Sequence, residues 1–411
     1  MRAPLSPDVR QYLLITGNYW AFTLTDGALR MLIVLHFHTL GYGALQIAML
    51  FVFYEIFGVV TNLVGGWLGA RVGLNRTMNA GLALQIIALG MLALPSTWLT
   101  VAWAMAAQVL SGIAKDLNKM SAKSSIKLLV ADDRQASLFR WVASLTGSKN
   151  ALKGIGFFLG GLLLALHGFR NAIVLMAIAL VLVWLLSLRF LMRDLGKAEA
   201  KPKFREMFSK SRAINVLSAA RLFLFAARDV WFVVALPVYL ATTLGWADAS
   251  VGAFLALWVI GYGIVQSGTP WLIGTRSGAV PGRHGAVAWA AVLAIVPASM
   301  AILLAHGESP SPVLIGGLAV FGVLFAINSS MHSYLIVSNA TADGVSLDVG
   351  FYYMANALGR LLGTVLSGWV FQVWGIAACL WIAAAMVAAA AAISIALPNR
   401  CIPLSRGDQS T

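Results

Sequence analysis

Apolar stretches long enough to cross a lipid bilayer follow one another along the whole chain, separated by short polar turns. A helix rises about 1.5 Å per residue, so about 20 apolar residues span the roughly 30 Å hydrocarbon core of a bilayer. Reading these runs against Gly, Pro and charged breakers predicts twelve spans: 12–38, 45–70, 77–95, 98–129, 137–166, 171–192, 214–242, 249–274, 285–305, 313–338, 347–371 and 376–397. Membrane-barrel strands are excluded, because they are about 10 residues long and alternate apolar with polar side chains. Within lipid a helix satisfies its own backbone hydrogen bonds, so runs of this length must be helical. Composition agrees: 60% of residues are hydrophobic and 11% charged, against about 25% charged in soluble domains. The expected fold class is an all-α membrane protein.

The segment ahead of the first span is polar, with Arg2 and Arg10, and the span itself contains Asp26 and Arg30. No small-residue cleavage site follows promptly, so it reads as a retained membrane helix rather than a removed leader. A net charge of +14 would suggest nucleic acid in a soluble domain. In a membrane protein Lys and Arg gather in cytoplasmic loops instead, and no nucleic-acid partner is expected. With the N-terminus inside, the inner segments hold Arg2, Arg10, Arg71, Arg76, Lys127, Arg134, Arg189, Arg193, Lys197, Lys201, Lys203, Arg205, Lys210, Arg212, Arg276, Arg283, Arg400 and Arg406. The outer loops hold only Arg170. That asymmetry places both termini in the cytoplasm. The one long charged segment, RDLGKAEAKPKFREMFSKSR from Arg193 to Arg212, reads as an amphipathic linker on the inner membrane surface. The expected organisation is an N-terminal six-helix half (1–192), the linker (193–213), a C-terminal six-helix half (214–397) and a cytoplasmic tail (398–411).

The two halves echo each other. Thr39-Leu40-Gly41-Tyr42 recurs as Thr243-Leu244-Gly245-Trp246, Asn150-Ala151-Leu152 as Asn356-Ala357-Leu358, and Asp26 as Asp229. Asn118 has a counterpart in Asn328, and the Gly66–Arg71 run a looser one ending at Arg276. The offsets stay between about 203 and 210 in steady order. A six-plus-six duplication is the architecture of secondary transporters with parallel halves. The end of the second span, Gly66-Trp67-Leu68-Gly69-Ala70-Arg71-Val72-Gly73-Leu74-Asn75-Arg76, resembles the loop signature of the major facilitator superfamily, G-x-L-x-D-R-x-G-R-R/K. Gly66, Leu68, Arg71 and Gly73 match, and Arg76 closes the segment. Ala70 stands at the Asp position and Leu74 at the next basic one, which puts the usual charge-relay gate in doubt. The glycines allow close helix contact, and the Arg can bond helix-end carbonyls.

Charge inside the spans is the feature that points to function. Lys115, Lys119, Lys123 and Lys127 recur every four residues and share one helical face. Either the fourth helix runs through them, or it ends at Ala114 and they form a solvated loop; the matching stretch of the tenth span, INSSMHSYLIV, reads as helix. Lys149 and Lys153 stand one turn apart in the fifth span, beside Gly154, Gly156, Gly160 and Gly161, a small-residue face. The seventh span adds Arg221, Arg228 and Asp229, and the eleventh Arg360. Asp26 and Arg30, four apart, can pair with each other. Against Arg30, Lys115, Lys119, Lys149, Lys153, Arg221, Arg228 and Arg360 stand only Asp26, Glu55, Asp116 and Asp229. A charge at mid-bilayer costs several kcal/mol, so the excess calls for a water-filled cavity that receives a small organic anion. Arg forks and Lys point charges suit phosphate-like groups.

Asn18, Asn118, Asn328, His332, Tyr352, Tyr353 and Asn356 are candidates to bond substrate hydroxyls or to bridge helices. The four carboxylates are candidates for proton coupling or for fixed counter-ions, the latter favoured for Asp229 beside Arg228. The sequence shows no catalytic triad and no Cys/His spacing for zinc, so neither an enzyme nor a cofactor is expected. Cys379 and Cys401 do not suggest a structural disulfide, and His36 and His38 read as polar rings near the interface.

The runs GNYWAFTLTDGALRMLIVLHFHTLGY, SGIAKDLNKMSAKSSIKLL, TGSKNALKG and SAARLFLFAARDVWFVVALPVYL resemble the ArsJ family of organoarsenical efflux permeases. The resemblance implies export of 1-arseno-3-phosphoglycerate, an unstable ester that a partner glyceraldehyde-3-phosphate dehydrogenase makes from arsenate, and hence arsenate resistance. The alternative from charge alone is an exporter or exchanger of another phosphorylated anion, acting as a monomer in the lipid bilayer. Topology is testable directly. Reporters fused after Arg170 and after Lys203 are expected on opposite sides of the membrane, and finding both on one side would overturn the twelve-span reading.

Overall fold

The computed structural model describes residues 6–41, 52–95, 99–131, 133–192, 194–199, 201–208, 210–274 and 280–398. Arg2, Arg193, Arg276, Arg400, Arg406, Cys401, nearly all of the tail and the start of the second span lie outside the described residues, as does the His38 side chain. The helices are α1 (Pro7–Thr39), α2 (Val52–Val72), α3 (Leu74–Leu92), α4 (Val101–Leu129), α5 (Gln135–Phe190), α6 (Arg212–Phe232), α7 (Ala235–Thr242), α8 (Asp248–Leu272), α9 (Arg283–Ala305), α10 (Pro310–Asn339) and α11 (Val345–Ser394). Local chemistry sets several boundaries. The Thr100 hydroxyl caps α4 by accepting from Trp103 N, and Ser211 caps α6 by accepting from Ile214 N. Pro310 opens α10, where its missing N–H costs nothing.

Two helices are longer than any bilayer crossing because each contains a reversal at a single glycine. Gly168 (φ 72°, ψ 173°) divides α5, and Gly375 (φ 76°, ψ −174°) divides α11. Positive φ is open to glycine and strained for other residues. The two glycines stand at matching places in the two halves, a repeat element absent from the sequence reading. With these arms counted separately and α6 joined to α7 across Val233 and Val234, the described residues trace twelve crossings in two six-helix halves. Six of the helices are apolar enough to cross a membrane by composition alone. α1 to α4 fall outside that set, and in α1 and α4 polar residues such as Asp26, Asp116, Asn118 and Lys123 are buried in the bundle.

Close glycine contacts set the packing. In the first half α1 crosses the first arm of α5. A Cβ on Gly156 would stand 2.8 Å from the Leu24 carbonyl, and one on Gly27 would stand 2.8 Å from the Lys153 carbonyl. In the second half α6 crosses the first arm of α11 in the same way, with Gly363 against Ala226. The halves meet along α2–α11, where Ser346 Oγ donates to the Gly66 carbonyl at 2.7 Å, and along α5–α8, where Asn150 Nδ2 donates to Gln266 Oε1 at 2.6 Å. Toward the end of the bundle that carries the linker, the halves share one apolar core, including Met120, Phe139, Ile336, Val349 and Tyr353. Toward the opposite end each half keeps its own, around Leu32 and Leu89 in one and around Phe321 and Leu380 in the other. The molecule is therefore sealed at the linker end and cleft at the other.

The described residues of the linker cross the sealed end as a strap with a turn at 194–196 and a 3-10 turn, Phe204–Met207. Leu74 N donates to Leu195 O and Ala198 N to Ala70 O, each at 2.8 Å, and Trp67 Nε1 donates to Pro202 O at 2.9 Å. A main-chain bond thus occupies the place where the loop signature has its Asp. Arg76 pairs with Asp194 at 3.0 Å. Arg71 lies 5.1 Å from the centre of the Trp67 ring rather than on helix-end carbonyls. Gly73 makes the turn into α3 at φ 108°. Lys210 pairs with Asp348 at 3.4 Å, where burial lowers the lysine's pKa and the carboxylate opposes the shift.

Gly156→Val is expected to destabilise the fold by about 1–3 kcal/mol, since the added atoms meet the α1 backbone. Gly161→Ala, whose nearest neighbour is Leu35 at 3.9 Å, is expected to be neutral. Thermal unfolding of the purified variants in detergent checks both.

Candidate functional site

A cavity of about 430 Å³ lies between the halves, directly above the shared core, on its side away from the linker. α1, α2, α4, the first arms of α5 and α11, α6 and α8 contribute most of its wall. Among the described residues nine basic side chains line it: Arg30, Lys115, Lys119, Lys123, Lys149, Lys153, Arg221, Arg228 and Arg360. Three acids face them, Asp26, Glu55 and Asp116. Because α4 is unbroken to Leu129, its lysine row belongs to a helix and not to a loop. Lys115 stands about 21 Å along the axis from that terminus.

The carboxylates clamp part of this charge in place. Asp116 pairs with Lys119 at 2.6 Å and with Lys115 at 3.9 Å, along one helix. Glu55 holds Arg30 at 3.4 Å and Arg360 at 3.3 Å, so it ties the two halves together. Asp229, fully buried behind the cavity wall, receives Arg228 Nε at 2.6 Å and Arg360 Nε at 3.2 Å. Asp26 and Arg30, which helical spacing allows to pair, take other partners instead. Tyr54 donates its hydroxyl to Asp26 at 2.8 Å, and the Arg30 guanidinium lies over the Tyr54 ring with its head on Glu55. Helical spacing makes the pair possible, but α2 brings competing partners to both members.

Four cations in the wall have no carboxylate partner among the described residues: Lys123, Lys149, Lys153 and Arg221. Lys123 donates to the Tyr353 hydroxyl at 2.5 Å, and Lys149 to Asn150 Oδ1 at 3.3 Å. Arg221 donates to Asn356 Oδ1 at 2.9 Å and to the Ser329 carbonyl at 3.2 Å, with the Phe225 ring centre 4.0 Å away. Lys153 lies 6.0 Å from the centre of the Phe157 ring. Neutral hydrogen bonds return only part of what a charge loses on leaving water. The pocket is therefore electropositive, and what it is built to accept is negative charge.

Several residues singled out in the sequence sit elsewhere. Asn118 lies on the face of α4 away from the lysine row, bonded to the Ala114 carbonyl at 3.0 Å and packed against Gly81. His332 lies one turn nearer the linker than the wall residue Ser329, in the shared core below the cavity, and neither ring nitrogen has a partner. Tyr352 is buried outside the cavity wall, its hydroxyl likewise without a partner. Asn18 bonds Ser187 at 2.8 Å, and Asn328 bonds the Trp289 carbonyl at 2.9 Å, so both bridge helices. Gly66, Arg71, Gly73 and Arg76 belong to the linker end. His36 stacks on Phe169 at 3.9 Å. Lys123 is the one of these nine basic wall residues that the candidate set lacked, although its four-residue spacing from Lys119 marked it; Tyr54 carried no sequence signal.

The family model for the Major Facilitator Superfamily matches residues 13–346. The chain superposes on the human organic anion transporter MFSD10 (TETRAN) with a TM-score of 0.75 at 15% identity, over 95% of this chain and 100% of that one. It superposes on a bacterial homologue of the iron transporter ferroportin in an outward-facing state with a TM-score of 0.71 at 17% identity, over 94% and 98%. The transporter FucP in its outward conformation gives 0.74 at 12% identity, over 96% and 100%. At these identities the likeness is one of fold. A comparison with curated proteins gives no match.

Removing the charge of the fully buried Asp229 takes the carboxylate from Arg228 and leaves Arg360 with Glu55 alone. Asp229→Asn is expected to cost about 3–5 kcal/mol of stability. Glu55→Gln should cost less, because Glu55 is 27% exposed to the cavity where water can screen. Unfolding in detergent, read for both variants side by side, checks the order.

Proposed function

The chain belongs to the major facilitator superfamily, and on that premise we propose that it is an efflux transporter for a compact organic anion, 1-arseno-3-phosphoglycerate, working by alternating access. The observation that carries this reading is the set of four cations without carboxylate partners at mid-bundle, Lys123, Lys149, Lys153 and Arg221. A ligand with a phosphate and an arsenate group brings the missing negative charge at two places. Lys149 and Lys153 come from the first half and Arg221 and Arg228 from the second, so such a ligand bridges the parts that must rock against each other. One structural neighbour is described as an organic anion transporter, a likeness that carries the fold alone.

With both termini and the linker in the cytoplasm of a bacterial inner membrane, the cleft opens outward. Cargo enters from the linker side after a glyceraldehyde-3-phosphate dehydrogenase has formed the ester, and its removal confers arsenate resistance. Charge clusters serve any phosphorylated anion of similar size, and that is the second reading. The deciding experiment is arsenate resistance in a sensitive host, with and without the dehydrogenase. Resistance that needs both proteins supports the first reading, and a chain that confers none with the dehydrogenase present loses it.

Lys149→Ala, Lys153→Ala and Arg221→Ala are each expected to lower affinity by roughly a hundredfold, since one contact to a charged ligand is worth about 2–3 kcal/mol. Arg228→Lys keeps the charge but loses the fork, and should also impair efflux. Ester efflux at matched protein level in the membrane is the measurement; normal export by all four variants would make these cations structural.

A further inference from the structure

One bond between the halves lies on the floor of the cavity. Lys123 of α4 donates to the hydroxyl of Tyr353 of α11 at 2.5 Å, with its ammonium 4.6 Å from the ring centre. The two residues are 3% and 2% exposed, at the boundary between the cavity and the shared core. Charged neighbours of Lys123 are Arg221, Lys119 and Lys149, all cations. A neutral phenol is thus the polar partner of a buried ammonium that faces like charges. An anionic oxygen would stabilise that ammonium more, because a hydrogen bond between two charged groups is stronger than one with a neutral acceptor.

The position of this bond gives it a second property. α4 belongs to the first half and α11 to the second, so any motion that opens the linker end draws Tyr353 away from Lys123. In the opened form the ammonium would lose its one hydrogen-bond partner among the described residues and face the entering cargo.

We propose that Lys123 alternates between two partners, the Tyr353 hydroxyl when the linker end is closed and an anionic oxygen of the cargo when it is open. The exchange rests on the anion-binding reading above and adds a positioning role to a residue pair. On closure the phenol takes the ammonium back from the anion, which loosens the cargo just as the cavity faces the opposite side. The ligand class this selects has a compact multiply charged oxyanion group able to replace a phenol at one ammonium. An uncharged sugar cannot do so.

The test uses the full-length protein with Cys379→Ser and Cys401→Ser, and with Val349→Cys as reporter. Val349 is fully buried, one turn below Tyr353 toward the linker, and opening of that end exposes it. Labelling by an impermeant thiol reagent from the linker side then reads the closed–open equilibrium without any cargo. Tyr353→Phe keeps the ring and removes the hydroxyl, and is expected to raise the labelling rate about tenfold, the worth of one such bond. Lys123→Met removes the same bond from the other half and should raise it similarly. Pyrophosphate, used as the anion probe, should raise labelling of the parent and leave Lys123→Met unchanged. Unchanged labelling in both bond-deleting variants overturns the switch, as does a pyrophosphate response that is absent from the parent or equal in Lys123→Met. If the labelling results hold while the arsenate ester is not exported, the exchange stands and the identity of the cargo falls.

Discussion

An ammonium or guanidinium group in the middle of a bilayer must have water, a carboxylate or an anion beside it, and the architecture here follows from that requirement. Three carboxylates restrain Lys115, Lys119, Arg30, Arg360 and Arg228. These pairs pin the walls and fix the direction of each guanidinium fork. What remains is a group of cations whose polar partners are neutral, held at the place where the two halves meet. Pairing every cation would have given a rigid bundle with no reason to bind an anion.

The pseudo-twofold relation between the halves is close in packing and loose in chemistry. Both halves use glycines to bring a first helix against a fifth one, and both reverse direction at one glycine. Yet Asp26 and Asp229, which correspond in the repeat, have different partners: a tyrosine hydroxyl in one half and two arginines in the other. Close backbone contact is what a duplicated scaffold must keep, because a Cβ at these sites would meet main-chain atoms. The charges are free to diverge, and divergence makes one side of the cavity different from the other.

Closure of one end is a matter of apolar burial together with a few directional bonds. The shared core, the Ser346–Gly66 bond and the strapped linker hold the linker end, and at the other end the cores are separate. A main-chain bond from Ala198 to Ala70 runs where the superfamily signature carries an acid. Part of the restraint that a side-chain gate supplies is thereby moved onto the linker backbone.

The sequence by itself determined the helical class, the number of crossings, the duplication and the presence of an excess of buried positive charge. Length, hydropathy and charge are properties of residues in order, and in lipid they leave the backbone almost no alternative to a helix. The four-residue spacing of the α4 lysines also fixed their common face. Only the tertiary structure decided which charges are neutralised. Arg30 turns from Asp26 to Glu55 because α2 delivers Tyr54 and Glu55 together, and Arg360 finds Asp229 across 131 positions of chain. Asn118 and His332 carry the right chemistry and still face the packed interior, since the rotation and height of a helix come from its neighbours and not from its own sequence. Pair formation depends on distances of 3–4 Å between helices remote in the chain, and no periodicity within one helix encodes them.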